Sequence, residues 1–340
     1  MRVVVDIVHP ADVNFYKNAI CQLQKKSVDI TLIFRPRGNI VNIIRKELPN
    51  MSFRSIGRHY SSMPAKIYGL VDRDLKLLFY LRRIDFDVVT SFAGFYIAQT
   101  SQMLRKPSVL FYDDYEYKLN FNLCKLSASR FIIMPHTIPV TGKNIVKHKG
   151  LKELAYLHPK YFEPNKAVLK QFGLKTEQYV FIREKEYVSL NYGKLGLKLA
   201  NIIDYTRDIG FDAIALSYDE RTKEELKNHG CILIEKPTDI HSLLSFAAFT
   251  IAAGDTMARE SCLVGTPAIY TGNREMYAND EFIKRGCMFH ATTMEDVFNN
   301  IKYIIDNDIK SNVKKRIDYA IKYEWDDTTE VIVKNLRSCP

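Results

Sequence analysis

The sequence predicts an α/β protein built from two doubly wound domains, and three features lead there. Short apolar runs of strand length alternate with stretches of helical periodicity along most of the chain. The alternation lapses once, between His136 and Pro164, where Pro139, Gly142, Gly150, Pro159 and Pro164 accumulate. It then resumes for a second set of similar size, without internal sequence repeat. A chain of 340 residues also fits two ordinary domains better than one core. The expected boundaries are a first domain over residues 1–140, a linker over 141–164 and a second domain over 165–324.

In chain order, Arg2–Val8 is an apolar run bounded by charge, as a strand buried on both faces requires. Val13, Phe15, Tyr16, Ile20 and Leu23 recur at helical spacing, so Val13–Gln24 is expected as a helix. A strand at Asp29–Phe34, a helix at Ile40–Leu48 and a short strand at Ser52–Ile56 follow. Pro64–Arg83 reads as a long helix with proline in its first turn, where the missing N–H costs nothing. Strands at Phe86–Thr90 and Pro107–Phe111 flank a helix near Tyr96–Leu104, and Phe131–Met134 is another strand. After the lapse come a strand at Tyr179–Arg183 and a helix at Gly193–Asp208. Ala213–Leu216, Glu220–Asn228, Cys231–Ile234 and Ile240–Ala247 continue the rhythm. Phe249–Ala253 is a strand, Met257–Val264 a helix ended by Gly265, and Pro267–Tyr270 the next strand. Met288–His290, a helix at Met294–Asp306 and a last helix at Asp326–Leu336 close the chain.

Composition narrows the function. With 46% apolar and 26% charged residues the chain is globular rather than disordered. The longest apolar candidate, Leu243–Ala253, divides into helix and strand and falls short of a membrane span. MRVVVDIV is too short for a signal peptide, so a cytoplasmic location is expected. The six cysteines (21, 124, 231, 262, 287 and 339) form no C-x-x-C pair and no zinc spacing, which suits a reduced compartment without a structural metal. Net charge is +10, much of it in the first half: Arg35, Arg37, Arg45, Lys46, Arg54, Arg58, Arg82, Arg83, Arg105, Lys106 and Lys143–Lys152. No helix-turn-helix, RNP or zinc-finger pattern accompanies it, so nucleic acid is not an expected partner. An anionic membrane surface or a lipid-linked diphosphate acceptor would be attracted, and a generally solvated basic face explains most of these residues as well.

The segment FTIAAGDTMARESCLVGTPAIYTG (residues 249–272) organises the second half. A helix starting straight off a strand end points unpaired N–H groups and a positive dipole end at whatever lies above the sheet. Gly254 allows close approach, and Asp255 or Thr256 can cap the first turn, an arrangement that suits a phosphate or diphosphate. Glu260, one turn further on, is placed for a ribose diol. An ordinary capped crossover explains the same residues, and both readings stand at this point. Arg183 ends a strand of the same half, where its fork can meet diphosphate oxygens; Glu184, Lys185 and Glu186 follow, with Tyr187 and Tyr192 as flanking candidates. In the first half, His9 follows the first strand as a candidate general base, with Asp12 beside it. Asp113, Asp114 and Glu116 crowd carboxylates at another strand end, which is costly unless a cation, a hydroxyl-rich ligand or a proton relieves them. The G-x-G-x-x-G of dinucleotide enzymes is absent after the first strand, and Gly142–Lys143 and Gly193–Lys194 lack P-loop spacing.

The wording of these segments resembles domain-of-unknown-function family 354, whose members are predicted GT-B-like glycosyltransferases. GDTMARESCLVGTPAIY is similar to that family's G-G-T-M-A-R-E-A-A-L-L-G-T-P-A segment, with Asp255 in place of a second glycine. DIVHPADVNF resembles its D-I-x-H-P-A-H-V-H-F opening, with Asp12 and Asn14 in place of two histidines. The acidic loop, the GLKELAYLHPKYFEP linker and the Arg183 strand end also have counterparts. More distantly, the Gly254 segment is similar to the donor site of the peptidoglycan N-acetylglucosaminyltransferase and to the non-hydrolysing UDP-N-acetylglucosamine 2-epimerases. The resemblance implies two Rossmann-like domains facing a cleft, with the helix in residues 325–340 packing back on the first. It implies transfer of sugar from a nucleotide sugar, UDP-linked in the expected case, in cell-surface polysaccharide or glycoconjugate synthesis. Gly254, Asp255, Thr256, Glu260 and Arg183 would bind donor; His9, Asp113, Asp114 and Glu116 would serve the acceptor. No cofactor or metal is expected, because Asp72/Asp74, Asp85/Asp87 and Asp306/Asp308 do not follow buried strands as a metal-binding D-x-D does. A 2-epimerase-like enzyme and a non-catalytic nucleotide-sugar sensor are the alternatives.

Overall fold

The computed structural model describes residues 1–57, 63–183, 199–217 and 220–339, and omits the side chains of 63–68, 70 and 71. Arg58, Glu184–Glu186, Tyr187, Tyr192, Gly193–Lys194 and the start of the helix expected at Gly193 lie outside the described residues. The chain divides into two compact units: Met1–Tyr156 with Glu324–Pro340, and Leu157–Tyr323.

The first unit alternates β1 (Arg2–Ile7), α1 (Pro10–Lys25), β2 (Asp29–Phe34), α2 (Ile40–Glu47), β3 (Phe53–Ser55), α3 (Met63–Leu81), β4 (Val88–Phe92), α4 (Phe95–Met103), β5 (Ser108–Tyr112), α5 (Lys118–Ser127), β6 (Arg130–Ile133) and β7 (Ile145–Lys147). All strands run parallel in the order β3-β2-β1-β4-β5-β6-β7. Val3, Val4, Val5, Asp6 and Ile7 are all buried, because the crossover helices cover both faces of a parallel sheet. The helical stripe on α1 lands in this core: Phe15 meets Phe92 and Phe111 edge-on, with centroids 4.8 and 5.3 Å apart. Each such fully buried side chain contributes about 1.5–3 kcal/mol relative to exposure.

Several boundaries moved for identifiable reasons. β4 starts two residues later than Phe86, because Asp85 and Asp87 are held by Arg2: Asp85 Oδ2 lies 2.6 Å from Arg2 Nη1, and the Arg2 N–H donates to Asp87 Oδ2 at 2.7 Å. The Pro/Gly-rich stretch is not wholly a connection, since Ile145–Lys147 adds the edge strand β7 beside β6. α5 had no expected counterpart; its stripe of Phe121 and Cys124 is short and its remaining residues mostly polar.

A short helix α6 (Leu154–Leu157) and a 3₁₀ turn at Lys166–Gln171 precede the second unit's alternation. That comprises β8 (Tyr179–Arg183), α7 (Leu199–Asp208), β9 (Asp212–Leu216), α8 (Glu220–Asn228), β10 (Ile232–Leu233), α9 (Ile240–Phe246), β11 (Phe249–Ala252), α10 (Asp255–Leu263), β12 (Ala268–Tyr270), α11 (Tyr277–Ile283), β13 (Met288–His290), α12 (Met294–Asp306) and α13 (Ile309–Tyr323). The parallel sheet is ordered β10-β9-β8-β11-β12-β13. Gly265, after α10, takes φ +89°, which an L side chain resists, and a methyl there would press Lys314 Cβ at 3.2 Å. α13 was not anticipated from the sequence. Its half-buried Lys310 donates from Nζ to Ser245 O (2.9 Å), Thr266 Oγ1 (2.8 Å) and Ala247 O, tying α13 to the segments before β11 and β12.

The final helix, α14 (Thr328–Arg337), packs on the first unit against α1. Thr329 Oγ1 donates to Ala155 O and Thr328 Oγ1 to Leu151 O, each at 2.8 Å, while Arg130 Nη1 donates to Asn335 O and Ser338 Oγ. Among the described residues no helix is long and apolar enough to cross a membrane.

Candidate functional site

In the second unit the direction of winding reverses between β8 and β11, the crevice where open parallel sheets hold ligands. Arg183 and Ala252, the last residues of these strands, are register partners, and the Ala253 N–H donates to Arg183 O at 3.2 Å. Two residues on from Ala252, Gly254 is the N-cap of α10. The fold thus brings the candidate arginine and the candidate anion turn to adjacent strand ends. Arg183 is half-buried and its Nη1 donates to Leu216 O at 3.1 Å, anchoring the guanidinium at the sheet edge.

Gly254 has φ −91°, which any residue adopts, and a methyl there would meet nothing within 4 Å among the described residues. Among the described residues its lack of side chain serves neither backbone strain nor internal packing, and none of them covers the first turn of α10 there. That helix begins two residues earlier than Met257, and no side chain caps it. Asp255 lies inside the first turn, where the helix dipole favours a carboxylate, and is drawn sideways between two guanidinium groups. Its Oδ2 is 3.1 Å from Arg274 Nη1 and 3.7 Å from Arg259 Nη1, while Oδ1 accepts the Thr256 N–H at 2.9 Å. One first-turn N–H is therefore already taken by Asp255. Arg259 is 1% exposed and also donates to Asn279 Oδ1 at 2.9 Å, binding α10 to α11. Glu260 is nearly buried, with Oε1 3.2 Å from His241 Nε2 on α9, so one of its carboxylate oxygens is engaged by an imidazole.

The first unit has the same reversal between β1 and β4. His9 follows β1 as N-cap of α1: its Nδ1 accepts the Ala11 N–H at 3.2 Å, and Asp12 Oδ2 returns the bond by accepting from the His9 and Val8 N–H groups at 2.8 and 3.2 Å. Desolvation, then the charges of Lys152, Arg37 and Arg35, pushes the imidazole pKa down to about 3. A neutral ring that accepts at Nδ1 carries its proton on Nε2. The basic nitrogen of His9 is thus the capping one, and its free edge offers a hydrogen-bond donor. Asp12 is 1% exposed, with Oδ1 3.5 Å from Lys152 Nζ.

The acidic loop leaves the C-terminal end of β5, with β4 between it and β1. Asp113 is buried; Asp114 and Glu116 are half-buried. The loop turns tightly into α5, the Tyr117 N–H donating to Asp114 O and the Lys118 N–H to Glu116 O. Lys118 Nζ sits over the Tyr115 ring. Of the D-x-D pairs, Asp72 and Asp74 lie within α3, Asp85 and Asp87 bind Arg2, and Asp306 ends α12.

Sequence reasoning missed Arg259, Arg274 and His241, which hold Asp255 and Glu260, and the buried pair Asp6–Arg73. Asp6 carried a legible signal, a carboxylate inside an otherwise apolar strand; Arg259 carried a similar one, a charge among the small residues of α10.

Comparison with known proteins agrees with this architecture. Uncharacterized protein MJ0665 of Methanocaldococcus jannaschii is 24% identical over 314 residues, which span 89% of this chain and 90% of that relative. The structure of UDP-GlcNAc 2-epimerase from Neisseria meningitidis bound to UDP-GlcNAc matches with a TM-score of 0.71 at 12% identity, covering 99% of this chain and 100% of that one. MurG of Acinetobacter baumannii matches with a TM-score of 0.64 at 14% identity, covering 99% of both chains. At such identities the likeness establishes the fold, a GT-B-like pair of Rossmann-like units. Residues 1–337 match the model of one family from end to end, and the chain belongs to that family, the protein of unknown function DUF354.

Proposed function

We propose that this protein is a nucleotide-sugar enzyme, a glycosyltransferase that holds a nucleoside diphosphate sugar, UDP-linked in the simplest case, at the strand ends of its second unit. One observation carries the reading: the winding reversal of that sheet sets Arg183 and the open Gly254 turn on adjacent strands. The first turn of α10 supplies N–H groups and a positive dipole end to the diphosphate, and Arg183 supplies a charged fork. Asp255 keeps Arg274 and Arg259 beside that turn, and Thr256 and Glu260 occupy its helix. During transfer the departing diphosphate gains charge, and these fixed donors stabilise it without a metal held on carboxylates. No resident cofactor enters this scheme. Asp113, Asp114 and Glu116 are the carboxylates on which acceptor activation would rest, and His9, donating from Nε2, would orient the acceptor. A nucleotide-sugar site is what the Neisseria epimerase holds in its structure, and that likeness supports an epimerase-like second reading, in which no acceptor is used.

The test is product analysis of the full chain with a panel of nucleotide sugars, with and without candidate acceptors. Transfer, or slow hydrolysis releasing the diphosphate, supports the glycosyltransferase; an epimerised nucleotide sugar supports the second reading. Binding without turnover leaves a sensor, and absence of any nucleotide-sugar binding overturns the proposal.

A further inference from the structure

At the winding reversal of the first unit, charged side chains hold buried polar atoms that no described residue satisfies. Arg73, 2% exposed on α3, is fixed at two of its three nitrogens: Nη2 donates to Asp6 Oδ1 and Oδ2 at 2.7 and 2.9 Å, and Nε to Ile56 O at 3.5 Å. Its third nitrogen, Nη1, is buried and has no hydrogen-bond partner among the described residues. Arg35, just beyond β2, has a buried Nε in the same condition, and Asp74, next to Arg73, has a buried unpartnered Oδ1. These groups act on one another: Arg35 feels Arg73, Arg37, Tyr96 and Asp6, Asp74 feels Arg73, and the Arg73 guanidinium lies over the Tyr96 ring at 5.3 Å. His9 feels Lys152, Arg37 and Arg35 at the same mouth.

The carboxylates at hand do not meet this demand. Asp6 is taken by Arg73; Asp12 is taken by two backbone N–H groups and Lys152. Arg37 is exposed, so the unmet demand is for hydrogen bonds rather than net charge: Arg35, Arg73 and Lys152 face Asp6, Asp12 and Asp74 in equal number. A buried guanidinium N–H without an acceptor costs about 1–3 kcal/mol or more, so native proteins keep few of them without a reason. The unpartnered atoms comprise two donors on cations and one acceptor on a carboxylate. A ligand that satisfies both kinds carries anionic oxygens and a hydroxyl.

We infer that the first unit has its own binding site, at the reversal between β1 and β4, for a phosphate group on a hydroxyl-bearing ligand. Arg35 and Arg73 donate to the phosphate oxygens, Asp74 accepts from the hydroxyl, and Tyr96 lies beside both. If, as proposed above, the second unit takes the donor, the ligand here is a phosphorylated acceptor; the site itself stands on the first unit's geometry alone.

The test is calorimetric titration of the full chain with inorganic phosphate and with a hexose 1-phosphate, plus co-sedimentation with vesicles containing phosphatidic acid. Arg35→Gln is the principal variant, because Arg73 still pairs with Asp6 in it and the fold is not at stake. It is expected to weaken phosphate and hexose phosphate about tenfold or more. Asp74→Asn is expected to weaken hexose phosphate severalfold and to spare inorganic phosphate, with these titrations run in the Arg183→Ala background so that the second unit does not contribute. Arg35-dependent sedimentation with phosphatidic acid, beyond that with phosphatidylcholine, identifies a lipid-borne phosphate; Arg35-dependent calorimetry identifies a soluble one. Equal affinities with and without Arg35→Gln in every arm, or absence of any phosphate binding, overturns the inference. UDP titration of the chain with Arg183 intact reports the second unit separately, so either site can fail without the other.

Discussion

Arg183→Ala tests the donor site most directly. The wild-type side chain ends β8 beside the Gly254 turn, and its Nη1 donates to Leu216 O at 3.1 Å. Truncation removes a charge-assisted contact to the diphosphate, worth about 1.5–3 kcal/mol. At about 1.4 kcal/mol per decade, affinity for UDP falls by roughly ten- to a hundredfold. The lost bond to Leu216 O costs about 1 kcal/mol of stability, too little to unfold the unit. Calorimetric titration with UDP, with and without EDTA, measures the effect, and a urea transition confirms that the variant is folded. A folded variant that binds UDP as tightly as wild type refutes the assignment. Wild-type binding that disappears in EDTA refutes the metal-free stabilisation while leaving the location intact.

Three further outcomes are expected. Glu260→Gln keeps size but weakens the contact with His241 and with a ribose diol, so UDP binding should fall severalfold while pyrophosphate binding holds; equal losses for both ligands would place Glu260 away from the ribose. Arg73→Met leaves Asp6 buried and unpaired, which should cost about 3–5 kcal/mol in urea unfolding, and Asp6→Leu added to it should restore most of the loss; a single variant as stable as wild type would show that the pair is not what holds β1 to α3. His148 is 2% exposed, its Nε2 bonds Thr328 Oγ1 at 2.9 Å, and burial pushes its pKa down to about 4 although Asp326 and Asp327 oppose this. With the folded pKa below the unfolded value near 6.5, the unfolded chain binds the extra proton between those values. Stability should then decline as pH falls from about 6.5 to 4, by up to about 3 kcal/mol, and His148→Phe should flatten that part of the profile in urea titrations at several pH values.

Much of the architecture was legible because it depends on local periodicity. The run RVVVDIV can only be a strand covered on both faces, and β2, β8 and α12 fall where their apolar patterns end. The Gly254 turn was visible too, since a strand, a glycine and a helix in that order restrict the backbone to a few paths. The pattern of α1 was legible as well, although its start was not: His9 and Asp12 form a reciprocal cap that extends it back to Pro10. α13 was legible in principle, since Ile309, Val313, Ile317 and Ala320 recur at helical spacing, but Lys310 becomes informative only when three acceptors from other segments converge on it.

Tertiary structure alone decided which charges meet. Asp6 and Arg73 are 67 residues apart, Asp255 and Arg274 are 19 apart, and nothing local pairs them. The sequence presented Arg35 and Arg37 as part of a basic surface, and Asp255 as a cap. The fold instead half-buries Arg35 beyond the end of β2 and turns Asp255 toward two arginines, because strand order, not sequence order, sets which loops adjoin. Periodicity reports how each segment faces the core; only the sheet, wound outward from β1 and from β8, brings together side chains whose desolvated charges must then be satisfied by one another or by a ligand.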